Sequence, residues 1–233
     1  MHQVPSRDTN LAVIEACSLF TPLNAEQRRR LAGESSPASA ARGELIWIAG
    51  DPAWYVGVIA SGFVKMTKNS PQGTEMAIEL LGPGQCIGLL AAIEGQALPL
   101  NAVAVTNCRY LKVPSPAILA VYNENSSFKD QIVRSIGPRL RKAHDMMSRL
   151  SSGRVEERMA AVLMILMDSY GERRAECVRL TVPLTRQDVA EMTGTTVETA
   201  IRVMSRWQKD GIISTEHQII TVLREDLLGE ALR

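Results

Sequence analysis

A chain of 233 residues with 45% hydrophobic side chains has enough apolar material for one or two cored domains, and with only 4% aromatics the cores must be filled by aliphatic and Met side chains. No apolar run reaches the roughly 18 residues a membrane span needs, and the N-terminus lacks the basic-then-apolar pattern of a secretory signal, so neither a membrane protein nor an exported one is expected. A net charge of +1 gives no global basic field, and four scattered cysteines without a C-x-x-C point to a reducing cytoplasm rather than a local metal cluster.

Residues Met1 to Asn10 read as a flexible arm. Leu11 to Phe20 and Asn24 to Leu31 read as two short helices, separated by Pro22, with Asn24 as the cap of the second. From about Ser36 to Val113 the texture changes to short strands punctuated by glycine. The expected strands are Glu44–Ile48, Trp54–Ala60, Phe63–Lys68, Glu75–Leu81, Cys86–Leu90, Ala102–Thr106 and Cys108–Val113, with turns at Gly50-Asp51-Pro52, Ser61-Gly62, Asn69-Ser70-Pro71 and Gly82-Pro83-Gly84. Short strands at this spacing predict an antiparallel barrel or jelly roll.

A short helix over Ala117–Tyr122 then precedes a long one. Along the latter, Phe128, Ile132, Ile136, Leu140, Ala143, Met147 and Leu150 step by four and three, while Lys129, Arg134, Arg139, Arg141, Lys142 and Arg149 make the other face basic. One apolar stripe on a long helix predicts a homodimer through Ile132, Ile136, Leu140, Ala143, Met147 and Leu150, the alternative being packing on the chain's own barrel. Gly137-Pro138 either kinks this helix or starts a new one. Ser151-Ser152-Gly153 reads as a hinge, and Val155–Tyr170 as the next helix. The division expected is 1–124 for the N-terminal helices and β-roll, 125–152 for the dimerisation helix and hinge, and 153–233 for a C-terminal domain.

The stretch from Leu184 to Ile213 reads as a helix-turn-helix. Thr185 and Asp188 match the [ST]-x-x-[DE] cap of a short helix with Val189, Ala190 and Met192 as its apolar face, and Gly194 suits a sharp left-handed turn. Thr195 or Thr196 caps a second helix whose apolar face reads Val197, Ala200, Ile201, Met204 and Trp207. Gly211 ends it, and Ile212-Ile213 with Gln218–Leu223 make a hairpin, the wing. Glu198 and Arg202 share one face near the helix start, where glutamate suits cytosine N4 and arginine suits guanine O6 and N7. The plain alternative is local: Thr195-x-x-Glu198 as a capping box and Glu198/Arg202 as an i,i+4 ion pair. From Arg154 to Arg233 acidic residues slightly outnumber basic ones, so DNA contact has to come from a local group of Arg186, Arg202, Arg206 and Lys209.

Taken together the chain resembles the cyclic-AMP receptor protein/FNR family of bacterial transcription regulators over essentially its whole length. The likeness rests on Arg42-Gly43-Glu44, Gly50-Asp51, Ser61-Gly62-Phe63-Val64 and Gly82-Pro83-Gly84-Gln85-Cys86-Ile87-Gly88, and most specifically on Arg158 followed by Leu184-Thr185-Arg186-Gln187-Asp188-Val189-Ala190, Glu198-Thr199 and Arg202. It implies an α+β chain: an N-terminal antiparallel β-roll, a long dimerisation helix and a C-terminal winged helix-turn-helix. It also implies double-stranded DNA and RNA polymerase as partners, as for an activator, with base reading by Glu198 and Arg202 and phosphate contacts by Arg186, Gln187 and Thr199. Thr196, Val197 and Arg206 complete the expected DNA-facing set. No Ser/His/Asp set, phosphate loop or metal-spaced His pair is present, so no enzyme is expected.

The departures bear on the effector. Leu89 replaces the glutamate of cyclic-AMP binders, Leu98-Pro99 stands where Arg-Ser would hold the phosphate, and Ala143 and His144 replace hydroxyls on the long helix. A buried phosphate without a cation is costly, so cyclic AMP is disfavoured. Only Cys17 lies where the iron–sulfur branch carries a cysteine cluster, so such a cluster is disfavoured too. The expected effector pocket is apolar: Cys86, Gly88, Leu89, Leu90, Leu98 and Leu100, with Ala143 and His144 from the helix. A haem is one alternative, with His2, His144, His217, Cys86, Cys108 and the methionines as ligands. Cys86 matches an iron-ligating cysteine of a haem-sensing relative, but the histidine expected two residues later is Gly88. Cysteine oxidation, or a β-roll that senses nothing, are the others; buried small hydrophobes are the plain reading of Cys86 and Cys108.

Overall fold

The computed structural model describes residues 7–69, 75–152 and 154–231. The arm's first six residues, most of the Asn69-Ser70-Pro71 turn and Gly153 of the hinge lie outside them, as do His2 and the side chains of Lys142, Arg149 and Leu150. The chain divides into two compact units, Met1–Lys68 with Ile78–Arg139, and Asn69–Ala77 with Leu140–Arg233.

The first unit opens with α1 (Arg7–Ala16), a 3-10 turn (Ser18–Phe20) and α2 (Ala25–Glu34). Asn24 caps α2 reciprocally with Gln27, which satisfies two of the donors that a helix start leaves open. Strands follow: β1 (Ser36–Ala40), β2 (Leu45–Trp47), β3 (Tyr55–Ser61), β4 (Val64–Asn69), β5 (Glu75–Leu81), β6 (Cys86–Ile87), β7 (Asn101–Ala104) and β8 (Cys108–Pro114), with α3 (Leu89–Glu94) between β6 and β7. They form two four-stranded sheets, ordered β1-β8-β3-β6 and β2-β7-β4-β5, the β-roll expected from the turn spacing.

The pleat sorts the two cores. On β3, Tyr55 and Ile59 face the inside of the roll, where Trp47, Val64, Met66, Ile87, Leu98, Ala102 and Tyr110 meet them. Val56 and Val58 point the other way, onto Ile14, Phe20, Leu31, Ile118 and Phe128 from the helices. Both faces of β3 are therefore covered, which is why it reads as a nearly continuous apolar run.

Two expectations need correction here. The strand expected over Cys86–Leu90 stops at Ile87. Gly88 turns left-handed at φ 78, and Leu89 to Glu94, all good helix formers, wind into α3 before Gly95 ends it at φ 64. The sequence reading also missed β1, whose Ser-Pro-Ala-Ser-Ala carries little strand propensity and is held by pairing with β8.

After α4 (Ser115–Glu124), the long helix α5 (Ser126–Ser152) runs through Pro138 without interruption, so Pro138 starts no new helix and Ser151 and Ser152 are helical rather than a loop. The stripe along it divides. Phe128 and Ile132 lie in the core of their own unit, with Ile136 against it. Ile132, at 4% exposure, is thus a core residue and not available to a partner, while Val133, Leu140 and Met147 are exposed.

The second unit contains α6 (Val155–Tyr170), β9 (Gly171–Arg174), β10 (Cys177–Leu180), α7 (Arg186–Thr193), α8 (Val197–Lys209), β11 (Ile213–Glu216), β12 (Ile219–Val222) and α9 (Glu225–Glu230). The wing is one half of a four-stranded antiparallel sheet, β11-β12-β10-β9. No described helix is long and apolar enough to cross a membrane.

Candidate nucleic-acid interface

Thr185 accepts from the Asp188 amide at 3.0 Å, and the Asp188 carboxylate accepts from the Thr185 amide at 2.9 Å, so the expected cap fixes where α7 begins. Gly194 stops α7 in the left-handed conformation, φ 60, and the Thr195 amide closes back on the Ala190 carbonyl at 3.0 Å. From α6, Arg158 donates to the Thr193 carbonyl at 2.9 Å and to the Gly194 carbonyl at 3.4 Å. A guanidinium thereby satisfies carbonyls that the helix end leaves open, at the point where the angle between α7 and α8 is set.

The cap of α8 is Thr196, which accepts from the Thr199 amide at 3.3 Å; Thr195 is not the cap, so the Thr195–Glu198 capping box does not form. The buried face of α8 is Ala200, Val203, Met204 and Trp207. Ile201, expected on that face, is 46% exposed instead. It lies one helical step of about 100° from Ala200, far enough to turn it outward, while Val203 takes the inward place.

Glu198, Arg202, Ser205 and Lys209 share the outward face with Ile201, all exposed. No ion pair joins Glu198 to Arg202 among the described residues. The Glu198 carboxyl is held below the usual carboxylate range by its own backbone amide and by Thr196, so it stands as a ready acceptor. Arg206 differs: it pairs with Glu156 of α6, which engages its guanidinium within the unit. Arg186 is half-buried, and burial lowers its pKa; it donates to Gln208 at 3.2 Å and Thr215 at 3.5 Å. Gln187 is exposed, Val197 and Thr199 are half-buried, and Thr196 is exposed at the helix start. The arrangement offers one acceptor and one fork of donors on the exposed face of the first turns of α8, the chemistry for base edges in a major groove.

At the wing tip, a two-residue loop joins the strands, with Glu216 opposite Ile219. His217 and Gln218 both take positive φ, 48 and 67, as the tight primed hairpin turn demands even without glycine. The Gln218 carbonyl accepts from the Leu184 amide at 2.8 Å, which ties the wing to the start of α7.

The sequence matches the family model of the Crp-like helix-turn-helix domain over residues 157–231 and that of the cyclic nucleotide-binding domain over residues 37–125. The chain belongs to the CRP/FNR family of transcription regulators. Among CRP/FNR relatives, it is 22% identical over 95% of its length to the CRP-like cAMP-activated global transcriptional regulator of Mycobacterium tuberculosis, covering 99% of that protein. It is 28% identical over 81% of its length to the anaerobic regulatory protein of Haemophilus influenzae, covering 72% of it. In fold it is similar to FixK2 from Bradyrhizobium japonicum, with TM-score 0.74 and 22% identity over 84% of this chain and 96% of that one.

The CRP/FNR assignment leaves the effector side to the geometry. The residues of the expected apolar pocket divide between two cores and the surface. Cys86 and Leu89 belong to the core under the helices, Leu98 and Leu100 to the inside of the roll, and Leu90 is exposed. The winding of α3 sends Leu89 inward and Leu90 outward, while Leu98 and Leu100 follow beyond its end. Gly88 packs so tightly that an added Cβ would lie 3.2 Å from Trp47 and 3.3 Å from Leu98. Ala143 and His144 are exposed. Cys86, the candidate haem ligand, instead has its sulfur 3.4 Å from that of Cys17. Sequence patterning had no signal for this contact, nor for the Arg158 clamp, since both join residues distant in the chain.

Proposed function

We propose that this CRP/FNR-type regulator acts as a homodimer on an inverted-repeat DNA site, reading bases with Glu198 and Arg202. The observation that carries this reading is the outward face of α8: an exposed carboxylate and an exposed guanidinium one turn apart, not tied to each other. Two such helices related by a two-fold reach successive major grooves about 34 Å apart, which calls for an inverted repeat. Glutamate favours C on one strand and arginine G on the other, giving a TGA core. Val197, which cannot donate, favours a thymine methyl outside it, so a TTGA-like half-site is expected over TGTGA. Exposed Ile201 adds a second apolar contact on the same face. Thr196, Thr199, Gln187 and Arg186 are assigned to the backbone, and RNA polymerase is the further partner.

The exposed Leu140, Ala143 and Met147 support pairing through the C-terminal half of α5. We assign the β-roll an effector other than cyclic AMP, although a relative is named for it. Leu89 is a buried core residue and Leu98 fills the roll, so neither the carboxylate nor the cation for a ribose phosphate is supplied at these positions. Selection of binding sites from a random DNA library tests the reading. Enrichment of TTGA-like inverted repeats is expected; enrichment of TGTGA repeats or of direct repeats overturns it.

A further inference from the structure

Cys17 and Cys86 stand 69 positions apart in the sequence, and their sulfur atoms are 3.4 Å apart. Cys17 precedes the 3-10 turn between α1 and α2; Cys86 opens β6, the edge strand of its sheet, opposite Val58 of β3. Both lie in one apolar core, among Ile14, Leu19, Phe20, Val56, Val58, Leu89 and Leu111, and both are buried. All four cysteines are free thiols. The other two are differently placed. The Cys108 thiol donates to the carbonyls of Phe63 and Thr106 at 3.1 and 3.2 Å, and Cys177 is half-buried on a separate sheet.

We propose that Cys17 and Cys86 form a redox site that closes to an intramolecular disulfide on exposure to a hydroperoxide. The two sulfurs are already in contact at 3.4 Å, against about 2.05 Å in a disulfide. The contact with Cys86 lowers the pKa of Cys17 against the opposing effect of burial, and the Leu19 and Phe20 amides add to the lowering; the same contact together with burial raises that of Cys86 well above its ordinary value. Cys17, the more acidic thiol of the pair, is therefore the one that loses its proton and attacks, and Cys86 is the resolving thiol. In the first step the Cys17 sulfur attacks one peroxide oxygen and the O–O bond breaks; with a proton taken up, water leaves and Cys17 becomes a sulfenic acid. In the second step the Cys86 sulfur attacks the Cys17 sulfur. The S–S bond forms, the S–O bond breaks, and the Cys86 proton leaves with the hydroxyl as a second water. The two thiols are oxidised and one peroxide is reduced to two waters. The product ties the N-terminal helical segment to the sheet edge.

The test uses the reduced, folded, full-length protein with a small excess of hydrogen peroxide. It is then alkylated under denaturing conditions and cleaved after glutamate, which separates Cys86 from Cys108. The expected result is loss of two of the four thiols, an intact mass lower by two hydrogens, and one linked pair of peptides carrying Cys17 and Cys86, all reversed by dithiothreitol. Cys108→Ala should keep the linked peptides and Cys17→Ser should lose them. Four thiols surviving in the wild-type protein overturns the proposal. So does a cross-link involving Cys108 or Cys177 instead, or Cys17 oxidised beyond sulfenic acid with Cys86 still free; none of these readings depends on a variant folding.

Discussion

Arg158 on α6 donates to the backbone carbonyl of Thr193, the last residue of α7, at 2.9 Å. A side chain from outside the helix-turn-helix thus holds the turn through main-chain atoms, so the angle of α8 is set by α6 as well as by Gly194. Arg158→Ala leaves the Thr193 and Gly194 carbonyls short of a donor in a partly buried place. The expected cost is about 1–3 kcal/mol, read as a lowered midpoint in chemical unfolding of the C-terminal unit, with DNA affinity falling in step. An unchanged midpoint would show the clamp to be dispensable.

Arg202 and Arg206 lie one turn apart on α8, yet only Arg206 is paired with Glu156. Arg202→Ala is expected to remove one bidentate guanine contact, about 1–3 kcal/mol per half-site, while fold and oligomer are kept. Arg206→Ala should give a clearly smaller loss. Titration of both variants on the selected site by fluorescence anisotropy decides the order; equal losses would return Arg206 to the DNA-facing set.

On α5 the same apolar stripe is buried at Ile132 and exposed at Leu140. Leu140, 52% exposed, is expected to be an interface residue, so Leu140→Glu should give a folded monomer in light scattering. Ile132 is a core residue, so Ile132→Ala should instead destabilise the N-terminal unit by about 2–5 kcal/mol and leave the oligomer to fail only with the fold. A dimer that survives Leu140→Glu at low micromolar concentration would place the interface elsewhere.

Gly62 combines φ +85 with a crowded site, where an added Cβ would lie 2.5 Å from the Asn107 carbonyl oxygen and 2.8 Å from the Cys108 sulfur. Gly62→Ala therefore costs about 1–2 kcal/mol for the left-handed backbone, and further for the overlap with a backbone atom that cannot swing aside. Thermal unfolding should show a clear loss; a gain or no change would mean that the Ser61-Gly62 turn relaxes freely.

The sequence by itself determined what rests on neighbours in the chain. Turn chemistry marked most of the roll's strands, and β5 falls over Glu75–Leu81 as expected. Capping rules placed the starts of α2 and α7, because the cap and its partner are three residues apart. The spacing of Glu198 and Arg202 put both on one turn of one helix, and the capping alternative was settled only by which threonine turned inward to Thr199. Tertiary structure decided everything that depends on what lies opposite. A stripe of period three to four along α5 cannot reveal that Phe128 and Ile132 lie in the chain's own core while Leu140 and Met147 are exposed. Low-propensity β1 is a strand because β8 lies beside it. Leu89 and Leu90, which look like neighbours in one pocket, are parted by the winding of α3. The contact of Cys17 with Cys86 joins residues whose local surroundings carry no mark of each other; it arises because folding brings the N-terminal helices onto the edge of the sheet, and only the folded chain makes those two sulfurs neighbours.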